Sequence, residues 1–174
     1  VLGALDGRAG LVPAQDLERV YPWLVDPLLE SPTSSQSIFL PLEIQRARHA
    51  CGPGAHDYRE LERVLTEMRK AAGSTPLAVM LIPDEFQVED ELWAQIEREG
   101  GDPLERDRPQ RMLAKICARL EIPLLDLLPM ARAVTPLKDG RRHLYHLRDT
   151  HFNTRGNALA GEELAAFLRR LPGS

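Results

Sequence analysis

The chain has 174 residues, which is enough for one domain of ordinary size or slightly more. Its 22 Lys and Arg residues against 26 Asp and Glu give a net charge of −4, and this balance argues against broad nucleic-acid binding. A hydrophobic content of 43% with 28% charged residues is typical of a folded domain and not of a disordered chain. Every apolar run is far shorter than the roughly 18 residues that a membrane span needs, so we expect no membrane span.

Neither the cysteines nor the first residues of the chain indicate a compartment. Cys51 and Cys117 cannot build a disulfide framework, so a cytoplasmic and an extracytoplasmic location both stay open. The chain starts at Val1 without a methionine or a signal-like segment. We therefore expect a processed protein or a piece of a longer polypeptide.

The first third, residues 1–56, is predicted to be a largely irregular segment. Pro13, Pro22 and Pro27 keep any early helix short. The polar stretch 31–37 suits a connection that caps the next element, a helix over 42–50 with Pro41 in its first turn.

From residue 57 onward, helical periodicity alternates with short, continuous apolar runs that are bounded by proline. The predicted elements are a helix over 57–72 with one apolar stripe (Leu61, Val64, Leu65, Met68, Ala72), a strand over 77–82, a helix over 89–98, a helix over 109–120, a strand over 123–128 and a helix over 154–170. This order predicts an α/β domain with parallel strands. Two strands are too few for a stable sheet. We therefore expect further strands within the first 50 residues, or an incomplete sheet. The exposed edge of an incomplete sheet would pair with a second copy of the chain, as a homodimer, or with a strand-sharing partner.

The candidate chemistry lies just before the last predicted helix. Asp149 and His151 fall on a short turn there, where the carboxylate can accept a hydrogen bond from the imidazole. Such a carboxylate orients a histidine that acts as general base and stabilises the imidazolium. The nearby helix N-terminus opposes that stabilisation because its positive end disfavours a protonated histidine.

The pattern Asp149-Thr-His151-Phe-Asn153-x-x-Gly156, followed by an Ala- and Leu-rich helix, resembles the C-terminal block of the SGNH (GDSL) hydrolase superfamily. It is closest to a bacterial branch that includes alginate-type O-acetyltransferase-like domains. The segments 81–88, 108–110 and 122–128 are also similar to that branch, so the resemblance covers about residues 57–171. It implies a three-layer α/β/α sandwich with a parallel, flavodoxin-like sheet. It also implies an esterase, deacetylase or O-acyltransferase acting on a small-molecule or carbohydrate acyl ester without a cofactor.

One part of the family pattern is missing. In the family, the nucleophile lies in an N-terminal Gly-Asp-Ser block, and this chain contains no Gly-Asp-Ser. We therefore interpret residues 57–174 as the C-terminal α/β part of an SGNH-like domain, residues 1–56 as an insertion, and the nucleophilic serine as not evident in this chain.

Three further residues are candidates for substrate binding: Asn153, Gln87 and Trp93. Asn153 also suits the N-cap of the last helix. Gln87, like Glu85, follows the first predicted strand and could line a pocket or be solvated in a loop. Trp93 suits the core as well as a pocket wall.

Two other functions remain open at this point. Without a nucleophile, the chain could be a non-catalytic SGNH-like remnant that is used for binding or assembly. Alternatively, His143, His146, Asp149 and His151 supply ligand types of a zinc or iron site, which would suit a metal-dependent hydrolase.

Overall fold

The computed structural model of the chain describes residues 2–5, 8–11, 16–53, 58–101 and 103–171. Its helices are α1 (Leu17–Val20), α2 (Gln36–Cys51), α3 (Tyr58–Ala72), α4 (Glu85–Val88), α5 (Asp90–Gly100), α6 (Arg108–Arg119), α7 (Leu128–Ala133) and α8 (Thr154–Leu168), with short 3-10 turns at Pro22–Leu24 and Pro27–Leu29. Its strands are β1 (Leu2–Leu5), β2 (Arg8–Leu11), β3 (Val79–Leu81) and β4 (Leu124–Asp126). The chain is a mixed α/β protein.

The central sheet pairs β3 and β4 in parallel, with Met80 opposite Leu125. Both strands lie inside the predicted runs 77–82 and 123–128, so the parallel pair is confirmed. Each strand has three residues, half the length of its predicted run.

Helices cover both faces of this pair. On one face, Val79 and Leu124 pack against a cluster that includes Leu65 of α3 and Ile116 of α6. On the other face, Leu125 belongs to a cluster with residues of α8, and Met80 packs against it. Side chains therefore alternate between the two faces along β3, as the pleat of a strand requires.

The sheet has two strands in the part of the chain that the structure describes. The early strands β1 and β2 pair with each other in antiparallel orientation and do not join β3 and β4. The described segments therefore leave the outer edges of β3 and β4 without a strand neighbour.

The helix α2 is longer than predicted. It begins at Gln36, so Pro41 lies inside the helix and not in its first turn. Phe39 and Leu40, directly before the proline, are buried in a cluster with Trp93 and other residues of α4 and α5. Their burial offsets the backbone hydrogen bond that Pro41 cannot donate.

The stripe predicted on α3 is only partly a core face. Leu65 is buried, whereas Leu61, Val64 and Met68 stay more than one-third exposed. The helix packs against α6, and these three exposed side chains leave the rest of the stripe open to solvent. None of the described helices combines the length and the apolar character that crossing a membrane would require.

Candidate active site

The segment before α8 forms a tight loop closed by backbone hydrogen bonds. Tyr145 and Phe152 make an antiparallel bridge at its base. Beyond it, the His146 N–H donates to the His151 carbonyl at 2.9 Å, and the Asp149 N–H donates to the His146 carbonyl at 3.1 Å. The loop therefore presents Asp149 and His151 together at its tip, immediately before the helix.

Asp149 and His151 are in direct contact. The His151 ring donates from Nδ1 to the Asp149 Oδ1 at 2.5 Å, and the His151 backbone N–H donates to the same oxygen at 3.1 Å. The Asp149 side chain is 29% exposed, whereas that of His151 is 82% exposed. The predicted hydrogen bond between carboxylate and imidazole is thus confirmed, and the imidazole faces solvent.

The carboxylate is held in its charged form. Partial burial raises the pKa of Asp149, but the hydrogen bonds from the His151 ring and backbone, together with the nearby His146, bring the net pKa below its usual value. An ionised Asp149 keeps the proton of the neutral ring on Nδ1. The lone pair is then on Nε2, which has no hydrogen-bond partner among the described residues.

Asn153 is fully engaged as the N-cap of α8. Its Oδ1 accepts from the N–H groups of Arg155 and Gly156 at 2.9 and 3.1 Å. Its Nδ2 donates to the carbonyls of His143 and Tyr145 at 2.8 and 3.1 Å. With all four bonds made inside the protein, the buried Asn153 amide fixes the loop that carries Asp149 and His151.

Gln87 and Trp93 lie in the interior. Gln87 sits on α4, where its amide exchanges hydrogen bonds with Gln110 and donates to the Arg106 carbonyl at 2.8 Å. Trp93 is buried beside Phe86, and the Arg106 guanidinium lies 5.5 Å from the centre of its ring. Gln87 is therefore held by internal hydrogen bonds, and Trp93 by packing. Glu85, another residue that the sequence suggested for a pocket wall, is buried on α4.

The alternative hypothesis of a metal site formed by His143, His146, Asp149 and His151 is wrong. Two of its histidines pair with carboxylates outside the set. His143 pairs with Asp139 at 2.7 Å, and His146 pairs with Glu30 at 2.5 Å. No group of three or more His, Cys, Asp or Glu side chains in the described segments is placed to hold a metal ion.

Sequence reasoning missed a cleft of about 420 Å³ beside this loop. Its walls come from α2, α5 and the segments at 141 and 147–148, including Gln36, Phe39, Leu92, Gln95, Arg141 and Arg148. No local sequence motif predicts this cleft, because its walls come from distant parts of the chain. The loop of Asp149 and His151 contributes one rim through Arg148.

The described part of the chain supplies no serine to the imidazole. The serines it contains are Ser31, Ser34, Ser35, Ser37 and Ser74. Ser34 donates its hydroxyl to the Arg148 carbonyl at 3.0 Å, and the Ser35 and Ser37 hydroxyls bond to each other at 2.9 Å. None of these five hydroxyls hydrogen-bonds His151.

No protein-family model, curated protein or solved structure matches the chain.

Proposed function

We propose that this chain carries the Asp–His part of an SGNH-type serine hydrolase site that acts on acyl esters. The contact of 2.5 Å between Asp149 and His151, with the imidazole open to solvent, is the observation that carries the proposal. His151 is the general base and Asp149 is its orienting carboxylate.

In this proposal the reaction uses a serine from a segment other than the described residues. The serine oxygen attacks the ester carbonyl while its proton moves to His151 Nε2. The imidazolium, stabilised by Asp149, gives that proton to the alcohol as it departs. The acyl group stays on the serine oxygen as an acyl-enzyme. Water or an acceptor hydroxyl then attacks the acyl group and gives its proton to the same nitrogen. The bond between the acyl group and the serine oxygen breaks, and the imidazolium returns the proton to that oxygen. Water makes the protein an esterase or deacetylase, and a sugar hydroxyl makes it an O-acyltransferase.

The same proposal extends to the fold. We take β3 and β4 as neighbouring strands of a larger parallel sheet in a three-layer α/β/α sandwich. The clusters that cover the two faces of the strand pair support this assignment. The unpaired outer edges in the described segments leave room for further strands of the same sheet.

The test uses the full-length gene product and an aryl acetate such as p-nitrophenyl acetate. His151→Ala should lower kcat/KM by about three orders of magnitude or more, and Asp149→Asn should lower it by up to a comparable factor. His49→Ala, which removes an exposed histidine on α2, is the matched control and should leave the rate unchanged. Turnover that survives in His151→Ala would contradict the role of His151.

One observation favours a second candidate, a non-catalytic SGNH-like protein. None of the five described serine hydroxyls bonds to His151. If the full-length gene product folds but turns over no aryl or sugar acetate, this second candidate replaces the first.

A further inference from the structure

Two glutamates lie deep in the protein where α2 meets α4. Glu43 of α2 is 0% exposed and Glu85 of α4 is 1% exposed. Carboxylates are rarely buried to this extent unless they are paired and hydrogen-bonded, since removing the charge from water is costly. Their surroundings therefore decide whether they carry a charge.

The hydrogen bonding of this glutamate pair is incomplete. Neither oxygen of Glu43 has a hydrogen-bond partner, and Arg46 approaches only to 3.6 Å. One oxygen of Glu85 accepts from Arg141 at 2.7 Å, while the other has no partner. Three buried carboxyl oxygens thus lack the donors that two ionised groups would require.

The surrounding charges do not balance two additional anions. The groups that face the glutamate pair are Arg46 on α2, Asp84 before α4, Glu89 before α5, Arg141, and Tyr145, whose hydroxyl donates to the Pro83 carbonyl. Glu89 is in turn paired with Arg142 at 3.8 Å. Arg46 is also shared with Asp84. The local carboxyl groups therefore outnumber the guanidinium groups, and a bound proton removes part of the excess.

The glutamate pair is linked to the cleft through α2 and through Arg141. Gln36 and Phe39 of α2 form part of its lining, and Arg141, the partner of Glu85, forms another part. A change in how α2 sits on α4 and α5 would therefore change the shape of the cleft.

We propose that the glutamate pair is a proton-operated latch: a proton held on Glu43 or Glu85 keeps α2 docked, and its loss loosens α2 and opens the cleft.

The titration behaviour of both groups agrees with this geometry. Burial raises the pKa of Glu43 to about 7, against the opposing effect of Arg46 and with a smaller contribution from Asp84. Burial likewise raises the pKa of Glu85 to about 8, against Arg141 and with support from Glu43 and Glu89. Because the folded state binds protons that the opened state releases, the docked form loses stability as pH rises from about 4.5 to about 8.

Hydrogen exchange of the α2 amides between pH 5 and pH 8, corrected for the intrinsic exchange rate, tests the latch. Protection of the α2 amides should fall by about tenfold per pH unit for each carboxyl that titrates on opening. The amides of α3 are the internal reference and should show a smaller change. Glu43→Gln, a neutral mimic of the protonated acid, should flatten the α2 profile, whereas Glu97→Gln, at an exposed position on α5, should not.

A second measurement needs no variant. Carbon-13 NMR of the side-chain carboxyl groups in the wild-type chain should show two glutamates that titrate above pH 6. The latch is overturned if every glutamate titrates below pH 6. It is equally overturned if α2 protection has the same pH dependence as the wild type in both Glu43→Gln and Glu85→Gln.

Discussion

Replacing Gly156 with alanine should destabilise the protein, whereas the same substitution at Gly161 in the same helix should stabilise it. A Cβ atom on Gly156 would lie 2.2 Å from the Leu144 carbonyl oxygen and 2.7 Å from two ring carbons of Phe152. A Cβ atom on Gly161 would meet nothing within 4 Å. The two substitutions therefore differ in packing and share the same gain in helix propensity.

The magnitude follows from two opposing effects. Alanine is favoured over glycine inside a helix by about 1 kcal/mol, and this gain applies at both positions. At Gly156 the contacted oxygen cannot simply move away, because it accepts the Asn153 backbone N–H at 3.0 Å. Overpacking of this kind costs roughly 1–3 kcal/mol or more, and a clash with backbone belongs at the upper end. We expect a net loss of about 2 kcal/mol for Gly156→Ala and a gain of about 0.5–1 kcal/mol for Gly161→Ala.

Urea unfolding followed by circular dichroism measures both effects. With a slope of roughly 2 kcal/mol per molar urea, the Gly156→Ala midpoint should fall by about 1 M, and the Gly161→Ala midpoint should rise slightly. Equal midpoints for the two variants would refute the close packing of α8 on the loop.

Two further predictions concern the loop and its carboxylate. Asn153→Ala removes a helix cap and leaves two buried carbonyls without a donor. We expect the free energy of unfolding, measured with urea, to fall by roughly 3 kcal/mol. A fall below about 1 kcal/mol would mean that the Asn153 amide does not hold the loop. The pKa of Asp149 is lowered in the folded state, so its contribution to stability is present at neutral pH and is lost as pH falls through the folded pKa. The free energy of unfolding of Asp149→Asn should consequently decline less steeply than that of the wild type between pH 5 and pH 3, and identical acid profiles would show that the pair contributes nothing to stability.

The elements with strong periodicity could be predicted from the sequence. The helices α3 and α6 and the paired strands all lie within one or two residues of the predicted ranges or inside them. Their apolar residues repeat over several turns or form a run bounded by proline, so the pattern itself carries the information. The short helices α4 and α7 could not be found this way, because four to six residues contain too little of a helical period.

Burial was harder to predict than secondary structure. The pattern on α3 identifies its apolar face, but not whether another element covers that face, and Met68 is 46% exposed. Pro41 marked a helix start by local rules, yet the burial of Phe39 and Leu40 extends α2 across it. In both cases tertiary packing, which no local window contains, determined the outcome.

In the candidate site, too, contacts between residues close in sequence could be predicted and contacts between distant residues could not. Asp149 and His151 are two positions apart on a turn, so their contact could be predicted from the sequence. The pairs of His146 with Glu30 and of Glu85 with Arg141 join distant parts of the chain and could not. The metal-site hypothesis fails because His143 pairs with nearby Asp139, whereas His146 pairs with distant Glu30.

The most direct test of the proposed hydrolase is covalent labelling of the full-length gene product with a fluorophosphonate, followed by intact-mass measurement and peptide mapping. A serine activated by His151 should take up one phosphonyl group with loss of fluoride, at a position outside the described residues. Labelling should slow by orders of magnitude in His151→Ala and stay unchanged in His49→Ala. An absence of labelling, or labelling at the same rate in His151→Ala, would contradict the assignment of Asp149 and His151 as a catalytic pair.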